Sequence, residues 1–272
     1  MKRTMLTLAV FCLTSGLMAQ HGHDHGHGHK APVNDDGVYT YYKDGSYSFK
    51  SIDLDGNDVT VVVEPRMPII PDPPEADPSH PDFVLETQEM DEMRMAKPGG
   101  GGGGGKVTVN VYAFVDEEYR AAYSNWESKV GGIIEKADNA YGRDQNIDWK
   151  IVSYHEWDSD GRSASQMLSD LNGDSGFVGN GLVMGFTADP NFEAGGIAYV
   201  YNSNPGTGVS ICVDQGNNWT VYALRHEIGH NYGCGHDFDP VVCCMNYTYA
   251  YSVDYFDAAH ENTISSHKSW FR

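Results

Sequence analysis

The stretch His226-Glu227-Ile228-Gly229-His230-Asn231-Tyr232-Gly233-Cys234-Gly235-His236-Asp237 decides how the chain is read. On an α-helix, His226 and His230 stand one turn apart on one face, so both imidazoles can reach a single metal ion. Glu227 sits beside them, within reach of a water at that ion. Gly233 is expected to end the helix in the left-handed conformation that residues carrying a Cβ avoid. That turn swings His236 back as a third ligand. Three neutral imidazoles with one position left open describe a catalytic zinc centre, because structural zinc sites close with four protein ligands.

The pattern HExxHxxGxxH resembles that of the metzincin metalloproteases. Met245, within Cys243-Cys244-Met245-Asn246-Tyr247, falls where that family carries its Met-turn, an apolar floor beneath the three histidines. The resemblance implies an α/β catalytic domain: a twisted mixed sheet with one antiparallel edge strand, an active-site helix and a small C-terminal subdomain. It implies peptide-bond hydrolysis on a protein or peptide substrate. His226, His230 and His236 would hold one Zn2+, Glu227 would be the general base, and Tyr247 a fifth ligand or a donor to the transition state. Asp237, the His230-Asn231 pair and the cysteine before Met245 resemble the adamalysins (reprolysins), whereas Tyr247 resembles astacins and serralysins. An adamalysin-like branch with an unusual tyrosine is the best match.

The rest of the composition bounds partners and compartment. A chain of 272 residues is long enough for one or two domains. Its formal net charge of −20 disfavours nucleic acid or an anionic membrane as partner. Lys2 and Arg3, the apolar run Met5 to Leu13 and the small residues up to Ala19 form a secretory signal peptide over residues 1–19. The apolar run is too short to span a bilayer, so a secreted or periplasmic protein is expected. Cys12 leaves with the signal. The remaining four cysteines, Cys212, Cys234, Cys243 and Cys244, are even in number in an exported chain, which predicts two disulfides. A vicinal Cys243–Cys244 bond is strained, so Cys212 and Cys234 are each expected to pair with one of the doublet.

Residues 20–98 read as a propeptide-like region. Its alternating His-Gly run, His21 to His29, suits either metal scavenging or a solvated tail. Val38 to Tyr42 and Tyr47 to Phe49 flank Asp44-Gly45 and predict a hairpin, with a further strand over Asp58 to Val63. Pro65 to Pro98 is a proline- and acid-rich linker, and Gly99 to Gly105 a polyglycine hinge. Metzincins are commonly made as latent precursors, which requires a group at the open zinc position. No cysteine lies between Gln20 and Gly105, so a cysteine switch is excluded; an aspartate or histidine is expected instead. An accessory region without inhibitory role is the alternative.

Residues 106–272 form the predicted catalytic domain. Val107 to Val115 alternates as a strand, Glu117 to Tyr141 has helical spacing behind an Asp116 cap, and Trp149 to Tyr154 and Gly181 to Thr187 are strands around a helix from Ser163 to Leu171. The next strand carries the candidate substrate edge, Gly196, Ile197, Ala198, Tyr199 and Val200, which the family resemblance assigns to β-augmentation. A strand at Gly208 to Val213 precedes the zinc helix, capped by Asn217-Asn218, and Asp257 caps a final helix. Ca2+ is a weaker second cofactor, at Asp53/Asp55/Asn57, Asp158 to Gly161 or Asp170 to Asp174, where plain turns are favoured. The rival function is a non-enzymatic metal-handling protein that works through the His-Gly tail. It predicts several metal ions per chain and indifference to Glu227.

Overall fold

Five strands of the catalytic region are laid down by alternating and then continuous apolar runs, and a computed structural model shows how they join. It describes residues 39–41, 46–52, 58–65, 105–238 and 240–272, all within the unit Ala31–Arg272. The expected signal peptide, the His-Gly run, the turn expected at Asp53 to Asn57, the expected proline-rich linker and the glycine run up to residue 104 lie outside the described residues. Strands β1 (Tyr39–Tyr41), β2 (Tyr47–Ile52) and β3 (Asp58–Pro65) precede β4 (Val107–Val115), β5 (Ile147–Glu156), β6 (Gly181–Thr187), β7 (Ala194–Val200) and β8 (Thr207–Val213). Helices α1 (Glu117–Ala122), α2 (Trp126–Gln145), α3 (Ala164–Asp174), α4 (Asn217–Asn231) and α5 (Ala258–His267) complete the order.

The strands form one sheet in the order β1-β2-β3-β7-β8-β6-β4-β5. From β8 through β6 and β4 to β5 the pairs are parallel; β7 runs antiparallel to β8. Over β4 to β8 this is the mixed α/β sheet that the family resemblance implies, but the antiparallel strand β7 is not the expected edge, because β3 pairs along its outer side. Strand β6, Gly-Leu-Val-Met-Gly-Phe-Thr, is buried at every residue, as a strand with parallel neighbours on both sides requires. On β4, Val107, Val109, Val111, Ala113 and Val115 are all buried while Thr108 and Asn110 face solvent. Among the described residues no helix is long and apolar enough to cross a membrane.

Two expectations change. The helix predicted from Glu117 to Tyr141 is two helices. Tyr123 adopts an extended backbone, its hydroxyl donating to Asp214 Oδ2 (2.5 Å), and α2 restarts at Trp126. Asp116 does cap α1, accepting the Tyr119 N–H (2.8 Å), and its carboxylate also takes the N–H of Ala188 after β6. The second change is larger. Strands β1–β3 do not stand apart before the catalytic domain but extend its sheet, with β3 antiparallel to β7.

Helix α2 packs along α4 and β5, and α4 rests on β7 and β8. At the α2–β5 contact, Asp138 accepts the backbone N–H of Trp149 (3.1 Å), and burial pushes its carboxyl up to about 7. A carboxyl whose folded pKa exceeds its unfolded one binds more protons when folded. Stability therefore falls as pH rises from near 4 through about 7. Asp138→Asn keeps the acceptor oxygen and removes the charge. It is expected to raise the melting temperature by a few degrees at pH 8 and by nothing measurable at pH 4, read by calorimetry at both values.

Candidate metal centre

Helix α4 presents His226, Glu227 and His230 because it is fixed at both ends. Its N-terminus is capped at Gly216 (φ 88), whose carbonyl takes the Thr220 N–H, one residue earlier than the expected asparagine cap. Near its C-terminus, the buried Asn231 amide donates to Tyr199 O on β7 (2.9 Å) and Val209 O on β8 (3.0 Å), stitching the helix to two strands. Val221, Leu224 and Ile228 are buried in the core, as their spacing predicts. Gly233 follows with φ 87, and a Cβ there would come within 3.0 Å of Tyr201 O, so glycine alone fits the turn that returns His236 to the helix.

Each imidazole is held by its Nδ1. His226 Nδ1 lies 2.6 Å from Cys244 O and His230 Nδ1 2.8 Å from Cys234 O. Those carbonyls can only accept, so both rings carry their proton on Nδ1 and leave Nε2 as a lone pair. His236 Nδ1 lies 3.3 Å from Ser46 Oγ, a residue just ahead of β2. The three Nε2 atoms then face one another: His226 to His230 is 3.1 Å and His226 to His236 is 3.3 Å. A tetrahedral zinc with Zn–N bonds of about 2.0–2.1 Å separates its donors by roughly 3.3 Å. Lone pairs gathered at this spacing suit a cation, and the residues fit Zn2+.

A fourth donor is already there. Glu64 Oε1, on β3, lies 3.2, 3.3 and 2.5 Å from the Nε2 atoms of His226, His230 and His236. Glu64 is 3% exposed, and its other oxygen has no hydrogen-bond partner. Burial acts to raise its pKa; positive charge on the facing imidazoles of His236 and His226, where these are protonated in the absence of a metal, outweighs that and holds the carboxyl well below the usual range. Burial pushes His230 down to about 4, so that ring is neutral.

Glu227 is 1% exposed, with Oε2 unpartnered. Burial, reinforced by the Glu64 charge, raises its carboxyl well above the ordinary value. Its side chain lies flat on β7: a Cβ at Gly196 would fall 2.1 Å from Glu227 Oε1. Gly196 to Val200 all lie on β7, which pairs with β8 on one side and β3 on the other. Met245 is fully buried, and a Cβ at Gly229 of α4 would meet its sulfur at 2.5 Å, so Met245 lies against the helix that carries the two histidines. Its carbonyl accepts the Asp237 N–H (3.0 Å), tying the Met245 turn to the residue after His236. Tyr247 lines a narrow cleft with Glu64, Ala223, His226, Glu227, Ala250 and Tyr251.

The expected disulfides are not formed: Cys212, Cys234, Cys243 and Cys244 are all free, buried thiols. They sit near one another in sequence, and Cys234 and Cys243 both face His260, yet none is bonded to another. Cys212 lies within β8, and Cys234 Sγ faces His260 O at 4.0 Å. Cys243 Sγ accepts the N–H groups of Met245 and Asp257, each at 3.3 Å, and lies 3.5 Å from His260 Nδ1. Hydrogen bonding lowers the Cys243 thiol to about 5, that from Cys244 contributing most. His260, on α5, is 8% exposed and sits between Asp257 (2.6 Å) and Asp237 (3.2 Å). Sequence spacing gives no hint of this clamp, which joins Asp237, the residue after His236, to the N-terminus of α5. Asp158 and Asp170, raised above as calcium ligands, are used otherwise. Asp158 pairs with Arg120 at 2.8 Å, and Asp170 accepts from Trp157 Nε1 and Asp160 N.

A family model described as Reprolysin_5, Metallo-peptidase family M12, matches residues 105–269. A solved structure described as "Structure of a chaperone-substrate complex" is similar at 12% identity and a TM-score of 0.47, over 61% of this chain and 35% of that one. No curated protein sequence matches the chain.

The contact between Glu227 and Gly196 generates a test of the packing. Gly196→Ala forces the carboxylate and β7 apart, an overpacking that costs about 1–3 kcal/mol. A fall in unfolding midpoint with the zinc stoichiometry unchanged at one per chain is expected from denaturant titration and metal analysis.

Proposed function

The chain belongs to metallopeptidase family M12, a zinc-dependent peptidase family, and from that premise we propose that it is a secreted zinc endopeptidase of the metzincin type, closest to the adamalysin branch and made as a latent precursor. The observation that carries the reading is the convergence of three Nδ1-pinned imidazoles on one point, with the buried Glu227 and the edge of β7 beside them. The signal-like residues 1–19 support export, and the Pro- and Gly-rich stretch between β3 and β4 supports processing of a precursor.

His226, His230 and His236 would hold a zinc ion, which would supply Lewis acidity to polarise a peptide carbonyl and acidify water. The chain's own residues do the rest. An extended substrate pairs its backbone with Gly196 to Val200, which aligns the scissile bond over the histidines. Glu227 takes the proton of the attacking water and hands it to the departing amine nitrogen. Tyr247, at the rim of the same cleft, donates a hydrogen bond to the oxygen on which charge develops. Met245 serves as the Met-turn floor that keeps α4 and the returning His236 in register.

Purified protein, processed to remove the region before the glycine run, is expected to digest casein and to stop when a chelator is added. Glu227→Gln should retain one zinc per chain and lose at least about 100-fold in kcat. Tyr247→Phe should lose about 10- to 1,000-fold in kcat with little change in KM. Full activity in Glu227→Gln would sink the mechanism.

A further inference from the structure

We propose that Glu64 is an internal metal ligand. It closes the fourth position at the three-histidine centre, while β3 occupies the edge of β7 on which a substrate would pair. The inference rests on the zinc-peptidase reading and names the residue that regulates that site. The sequence pointed to an aspartate or a histidine as the blocking group. The residue at the centre is a glutamate, 162 to 172 positions away from the histidines in the chain.

Three independent features converge on it. The first is the donor geometry: a single carboxylate oxygen stands within 3.3 Å of all three Nε2 atoms, where the fourth donor of a tetrahedral site belongs. The second is the strand that delivers it. Thr60, Val61, Val62 and Val63 pair with Val200, Tyr199, Ala198 and Ile197 in antiparallel register, and Pro65 then pairs with Ala194. One residue is gained on β7 in that step, so Glu64 faces the Gly195-Gly196 pair. Val59, Val61 and Val63 join the hydrophobic core, and the two-residue period of a strand turns Glu64 to the opposite face, where the histidines are. A peptide cannot pair with β7 until β3 leaves. The third is the company Glu64 keeps. Its Oε2 is buried without a hydrogen-bond partner, and the same N-terminal region supplies Ser46 to the Nδ1 of His236.

The test uses the full chain loaded with Co2+ in place of zinc, comparing wild type with Glu64→Gln and Glu64→Ala. Folding of each is checked by thermal melting, and the glutamine variant keeps the side-chain volume if the alanine variant does not fold. In wild type, the visible absorption of cobalt is expected to be insensitive to millimolar acetohydroxamate. In both variants the spectrum shifts and responds to the hydroxamate, and transfer of zinc to a chromophoric chelator is at least about tenfold faster. Identical spectra and chelator rates in wild type and variants overturn the assignment, as does hydroxamate binding by the intact wild type. So does a wild-type chain that retains no metal. Casein digestion separates this claim from the one beneath it. A variant with the shifted spectrum but no proteolysis, even after its N-terminal region is removed, upholds Glu64 as ligand and rejects the peptidase reading.

Discussion

Three imidazole lone pairs pointing at one another repel, His226 Nε2 lying 3.1 Å from His230 and 3.3 Å from His236, and the rings are held there because each is pinned from behind, two of them from within the catalytic region itself. The pins come from three places: the carbonyl before Met245, the carbonyl after Gly233, and a serine of the N-terminal region. Each pin has its own support. The Met245 turn is strapped to Asp237 and to the thiol of Cys243, and α4 is stitched to β7 and β8 by Asn231. The sheet beneath is held by the continuous apolar burial of β6 and its parallel neighbours. Seen from the centre outward, much of the fold serves to keep three N–H groups facing their acceptors, so that three nitrogens stay free for a cation.

What was legible in the sequence follows from locality. His226, His230 and Gly233 lie within two helical turns, so the spacing alone fixes their geometry, and the positive φ of Gly233 is the conformation it predicts. The strands β4, β6 and β8 were legible from apolar period, because burial on one or both faces is written residue by residue. The break at Tyr123 was not, since it is made by a hydroxyl reaching Asp214, 91 residues away. The disulfides misled for the same reason: an even count says that pairing is possible, whereas partner choice is set by where each thiol points. His260 was invisible because its partners Asp237 and Asp257 are brought together only by the return of the chain after Met245.

Glu64 is the extreme case. In the sequence it is one acid among many in an acidic chain, closing a run of three valines before a proline. Charge at the end of an apolar strand ordinarily marks the return to solvent. Here the strand continues beside β7, and the acid is turned inward. The one local signal is that Val61, Val62 and Val63 are too apolar for an isolated edge, which implies a covering partner on both faces. No local rule says which partner, because that depends on a pairing across more than a hundred residues.

Strand β7 explains why covering and blocking coincide. A bare edge strand offers unpaired backbone groups, which is a liability in solution and a requirement for gripping an extended peptide. Covering that edge with β3 removes the liability and the grip together. While the chain is intact the pairing is intramolecular, with an effective concentration of order millimolar for a tether of ordinary length. Cutting between β3 and β4 and diluting to micromolar weakens it about a thousandfold, or roughly 4 kcal/mol. Burial of Val59, Val61 and Val63 opposes release, at about 1.5–3 kcal/mol for each fully buried side chain. Together the three come to about 4.5–9 kcal/mol, which equals or exceeds that loss. On the proposed reading a single cut therefore loosens β3 without expelling it, and lasting activation also requires that the freed strand be degraded before it can bind again.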